Sequence, residues 1–137
     1  MAYMHDISRF TTPPEVPDLE ALAREAMATI PRRLRRAAGD VRVVVEDFPD
    51  DETLEEMGAE TPFDLLGLYR GVDLTQKSVM DLPHDIDTIH LYRRPILDYW
   101  CETGEDLGDL VRHVLIHQIG HHFGFSDEDM EHIEREA

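Results

Sequence analysis

Two histidines four residues apart, followed by a glycine and an aspartate each three residues further on, carry the clearest chemistry in this 137-residue chain. They are His117, His121, Gly124 and Asp127, in the run VRHVLIHQIGHHFGFSD from Val111 to Asp127. On an α-helix, residues four apart stand one above the other on one face. Two imidazoles so placed can chelate one metal ion, and a carboxylate brought back by a Gly-assisted turn can supply a third ligand. Three protein ligands with an open fourth position are what a catalytic zinc requires. The residue after the first histidine, where such sites carry a general-base glutamate, is Gln118.

The neighbouring residues narrow this set. With about 100° per residue, Val114, His117 and His121 all fall within about 40° of Leu110 on the helix. Imidazoles on that stripe need partners, because burying them unpaired is costly. A metal meets the need, and so does a polar seam of hydrogen bonds to backbone or carboxylates; Gly124 and Asp127 at the spacing of a turn and return favour the metal. His113 extends the run of histidines but lies about 12 Å along the axis from His121, too far to share an ion with zinc–nitrogen bonds of about 2 Å. It is expected beside the site or exposed. His122 points about 100° away from His121 and is expected to pack or hydrogen-bond against the strands. Glu128 and Glu131 also follow the turn and rival Asp127 as third ligand, which is preferred on spacing.

The elements that must position these residues are legible from the pattern. Asp18 can cap a helix with Leu19, Leu22, Ala23, Ala26, Met27 and Ile30 at helical spacing. Pro31 kinks or restarts it, and Gly39 ends it. Arg32, Arg33, Arg35 and Arg36 suit the helix C-terminus and a solvated face better than a phosphate site. Val41 to Glu46 reads as a strand buried on both faces, and Phe63 to Arg70 as a short second strand. Thr88 to Arg93 alternates as a third, with Ile89 and Leu91 opposite His90 and Tyr92, until Pro95 stops it. Asp47 to Pro62 reads as an acidic loop with a helical turn near Thr53 to Met57. Val72 to Asp87 reads as irregular, and Ile96 to Cys101 as a helical turn. Gly104 to Asp106 opens the long helix, which runs to about Phe123 and is apolar around most of its circumference. Gly124 stops it, and Ser126 can cap a last short helix through Ile133.

Bulk properties exclude some functions. A hydrophobic content of 42% and a charged content of 31% fit an ordinary globular domain. The formal net charge of −17 makes nucleic acid and anionic membrane poor partners. One cysteine, Cys101, precludes an intrachain disulfide, and a half-buried structural role is expected for it. No basic-then-apolar leader and no bilayer-length apolar run are present, so a cytoplasmic location is expected.

Taken together, the sequence resembles the small bacterial zincin-like metallopeptidases, also called minimal zinc metalloproteases. Besides HQIGHHFGFSDEDM, the segments VRVVVEDFP, LLGLYRG and TIHLYRRPIL carry the resemblance, which covers nearly the whole chain after about Pro17. It implies an α+β fold with a small sheet of three to four strands, an N-terminal helix, a central metal-binding helix and a short C-terminal helix. Residues 1–17 would be a flexible lead-in and 18–137 a single zincin-like domain. It also implies zinc ligation by His117, His121 and Asp127. The spacing H-x-x-x-H-x-x-G-x-x-D is like that of metzincins, whose third ligand is usually His. The departure is Gln118, where the family pattern has Glu. Gln can hydrogen-bond a zinc-bound water but cannot accept its proton near neutral pH. Loss of a general base costs about 10²–10⁴ in rate.

The resemblance implies hydrolysis of a peptide or protein substrate by zinc-activated water, impaired by Gln118. Gln118 itself favours an alternative, a catalytically inactive metal-binding module for peptides or proteins. In a third reading the histidines satisfy one another in a metal-free structural protein. Leu66 to Arg70 is a candidate edge for an extended peptide. Tyr69, His90, Tyr92 and Arg93 are unranked candidates for stabilising an oxyanion.

Overall fold

The computed structural model describes residues 12–71 and 86–135. Among them are six helices and one three-stranded sheet, an α+β arrangement. Of the lead-in expected over 1–17, residues 1–11 lie outside the described residues, as do residues 72–85 of the irregular chain expected over 72–87.

The first helix, α1 (Val16–Thr29), begins earlier than expected. Its N-cap is Glu15, and Asp18 acts from inside the first turn by accepting a 2.8 Å hydrogen bond from the Glu15 amide. Leu19, Leu22, Ala23 and Ala26 form its buried face. Pro31 restarts the chain as α2 (Arg32–Ala38), and Gly39 ends it at a φ of 61°. Proline has no amide to lose in a first turn, so a restart satisfies more backbone than a kink.

The sheet order is β1–β3–β2, with β1 (Arg42–Glu46) parallel and β2 (Gly67–Arg70) antiparallel to the central β3 (Thr88–Tyr92). Among the described residues β1 is therefore a terminal strand. Its valines are not buried on both faces as expected: Val45 is buried, whereas Val43 and Val44 are half-buried. β2 is also shorter than expected. The Asp64 carboxylate accepts from the Glu60 and Thr61 amides and the Thr61 hydroxyl, which folds the preceding residues into a turn. Those hydrogen bonds hold its pKa below the usual carboxylate range.

Between β1 and β2, Asp50 caps α3 (Asp51–Glu56) by accepting from the Thr53 amide at 2.8 Å. After β3 the chain enters α4 (Arg93–Thr103) directly. Pro95 sits in its first turn, where helices tolerate proline, so the expected short turn is an eleven-residue helix. Cys101 is exposed there, contrary to the half-buried role expected.

The core closes on α5 (Leu107–His122), capped by Asp106 accepting from the Asp109 amide at 2.9 Å. Leu110, Leu115, Ile116 and Ile119 of α5 are fully buried, as are Ile89 and Leu91 of β3 and Leu19 of α1. Gly124, at a φ of 79°, turns the chain into α6 (Asp127–Arg135). Ser126 and Asp129 cap α6 reciprocally, the Ser126 hydroxyl accepting from the Asp129 amide at 3.1 Å. Gly120 lets the two helices approach: a Cβ there would lie 2.3 Å from Met130 Sδ.

Candidate metal centre

α5 runs into the Gly124 turn and α6 returns beside it, so His113, His117 and His121 of α5 each lie near a carboxylate of α6. The Phe125 amide donates to the Gly120 carbonyl at 2.8 Å, closing the turn. Across it, His121 Nε2 lies 3.7 Å from Asp127 Oδ1, and both side chains are exposed. One turn earlier, His117 is half-buried, and its ring centroid is 5.8 Å from that of His121 with the planes near perpendicular. Gln118, beside it, is also half-buried.

The donor set can be tested against zinc. Two atoms bound to one tetrahedral zinc at about 2.0–2.1 Å stand about 3.3 Å apart. The separation of His121 Nε2 from Asp127 Oδ1 is close to that span. Imidazole nitrogen and carboxylate oxygen are ordinary zinc donors, so the chemistry of this pair fits the ion, whereas the donor atom of His117 is grouped with those of His113 and Glu134.

His117 has a partner that the sequence reading did not name. Its Nε2 lies 2.7 Å from Glu134 Oε1, and the same oxygen lies 2.9 Å from His113 Nδ1. The rings of His113 and His117 are 4.0 Å apart. Glu134 was findable in principle. It lies seven residues after Asp127, so both fall on one face of a capped helix. Glu128 and Glu131 are exposed. Arg112 fastens α6 at this level, donating to the Glu134 carbonyl at 3.2 Å and, through Nε, to the Thr29 hydroxyl of α1 at 3.2 Å.

His122 turns away from the cluster, as expected, and stacks on Tyr69 of β2. The Tyr69 hydroxyl donates to Asp87 at 2.7 Å. Burial, reinforced by that hydrogen bond and the Asp87 charge, raises its pKa well above the usual tyrosine value. Gly71 adds to the close fit of β2 on α5, because a Cβ there would lie 2.9 Å from His122 Cε1.

The four oxyanion candidates separate by sheet face. Tyr69 pairs with Ile89 and shares its face with the core, toward the end of α5. His90 and Tyr92 alternate onto the opposite face, where they line a polar pocket of about 270 Å³ with Glu46, Asp50 and Arg70. His90 Nδ1 is paired with Glu46 there. Burial, with the nearby Glu46 charge, pushes the Tyr92 pKa up to about 12. Arg93 donates to the Pro14 carbonyl and to Asp47. Of the four, only Tyr69 adjoins the histidine helix.

A family model described as zincin-like metallopeptidase matches residues 38–137, which takes in the whole sheet, α5 and α6. The chain belongs to that family. A comparison with curated proteins finds no match. The chain carries the histidines of its H-x-x-x-H run on helix α5 and the acidic residues Asp127 and Glu134 on α6. Among the described residues, no helix is long and apolar enough to cross a membrane.

Proposed function

We propose that this zincin-like chain acts on a peptide or protein substrate through one zinc ion held by His117, His121 and Asp127. Support comes from the approach of His121 to Asp127 across the Gly124 turn, one helical turn from His117, in a member of this family. Zinc bound to such a set supplies a Lewis acid and makes a bound water more acidic. The protein's own side chains divide the remaining work. In this reading Gln118, half-buried on α5, hydrogen-bonds and orients a water, but its carboxamide does not take a proton, so peptide hydrolysis is impaired. β2 is a terminal strand of the sheet among the described residues and suits an extended peptide pairing through its backbone. Tyr69, fixed by Asp87 and His122, holds that strand against α5.

Gln118 also favours a second reading, in which the same centre holds zinc and captures peptide without cleaving it. Comparing the protein with Gln118→Glu on a broad peptide library separates the two. Hydrolysis by the parent that rises about 10²–10⁴-fold in Gln118→Glu supports an impaired peptidase. Hydrolysis by Gln118→Glu alone supports an intact site lacking its base, and cleavage by neither sinks the enzyme reading. Zinc analysis is the prior check: about one ion per chain, lost in His117→Ala. Metal-free purified protein that also fails to take up added zinc removes both readings.

A further inference from the structure

The contact that least fits a single three-ligand site is that of His117 with Glu134. A hydrogen bond from His117 Nε2 to an ionised carboxylate uses a proton on that nitrogen. A metal ligand needs the lone pair of that nitrogen. The Glu134 contact and zinc ligation through Nε2 therefore exclude each other. His113 adds its own Nδ1 to the same carboxylate oxygen. One ligand atom each from His113, His117 and Glu134 lies within 4.8 Å of the others, a grouping of three potential metal donors among the described residues.

We propose that His113, His117 and Glu134 form a second divalent-cation position, one helical turn before the one built on His121 and Asp127. The two positions are alternatives, because both require Nε2 of His117. The nitrogen-to-oxygen distances of 2.9 and 2.7 Å need to open by only about half an ångström to reach the roughly 3.3 Å between two ligands of a tetrahedral zinc. The side chain of His113 is 48% exposed and that of Glu134 27%, so the fourth position opens to water. Arg112 holds the Glu134 backbone against α5 and so fixes the height of this carboxylate on the helix. By contrast, the Asp127 side chain is 91% exposed. The proposal rests on the contacts of Glu134 and not on the assignment of Asp127.

The test is zinc titration of the metal-stripped full chain against a competing chelator, with circular dichroism of each variant to establish its fold. The parent takes up one zinc per chain. Asp127→Asn and His121→Ala each still take up one, and adding Glu134→Gln or His113→Ala to either weakens that residual binding by at least about tenfold, or 1.4 kcal/mol. His117→Ala takes up none. Cobalt substitution gives a second readout, because its visible spectrum changes when the ligands change; Asp127→Asn should keep a protein-bound cobalt spectrum that Glu134→Gln removes. No zinc uptake by folded Asp127→Asn and His121→Ala overturns the proposal and leaves the motif site standing. Equal binding by Asp127→Asn with and without Glu134→Gln overturns it as well, as do two ions per parent chain. If Asp127→Asn binds like the parent while Glu134→Gln does not, the proposal stands and the motif site falls.

Discussion

The ring of Tyr69 lies stacked on the imidazole of His122, with centroids 4.0 Å apart and planes 20° from parallel. This pair joins β2 to the last turn of α5, beside the histidines that face the other way. Aromatic pairs contribute about 0.5–1.5 kcal/mol beyond their buried area. His122→Ala is therefore expected to lower unfolding free energy by about 1 kcal/mol in urea titration, with zinc uptake unchanged. Loss of zinc in a folded His122→Ala would place this residue in the metal centre after all.

Met130 is fully buried and leaves no room for a side chain on Gly120. Gly120→Ala should cost about 1–3 kcal/mol through overpacking, even though alanine is the better helix former. Met130→Ala should cost about 2–5 kcal/mol through the cavity it opens. The double variant should lose less than the sum of the two, since the new methyl enters the space that methionine vacates. Additive losses would mean that the two residues do not share that space.

Alkaline pH should weaken the fold through Tyr92. Its pKa is about 12 in the folded protein against about 10 in the unfolded chain. The neutral phenol is thus favoured by folding. Its contribution is complete below pH about 10 and is lost as pH rises toward about 12. Tyr69 is shifted in the same direction and adds to the decline. The urea midpoint should fall over this window, and less steeply in Tyr92→Phe. An identical slope in parent and variant would show that Tyr92 ionises equally easily in both states.

The helices and the sheet were largely legible because their signals are local. The 3.6-residue spacing from Leu107 to Ile119, the glycines at 39 and 124 and the alternation of Thr88 to Tyr92 each express backbone geometry within a few residues. Boundaries were less legible where a side chain several residues away decides them. Asp18 draws the α1 cap back to Glu15, and Asp64 folds residues that looked like strand. Strand order cannot be read from β1 itself, so the edge position that half-exposes Val43 and Val44 was invisible. At the candidate site, His117, His121 and Asp127 follow from spacing across one turn. Glu134 shares a helix face with Asp127 by spacing, but its approach to His117 depends on how two helices cross, which the close contact of Gly120 with Met130 helps to set.

The short return after Gly124 also bears on the order in which parts of the chain can come together. His117 and Glu134 are 17 residues apart, whereas Glu46 and His90, which pair across the parallel strands, are 44 apart. The entropy lost on closing a loop grows with its length, and parallel strand pairing must also wait for a long connection. The α5–α6 hairpin thus brings its metal-binding side chains together at a smaller entropic cost than β1 and β3 incur on meeting. In a refolding chain, the imidazoles and carboxylates can be neighbours before the sheet exists.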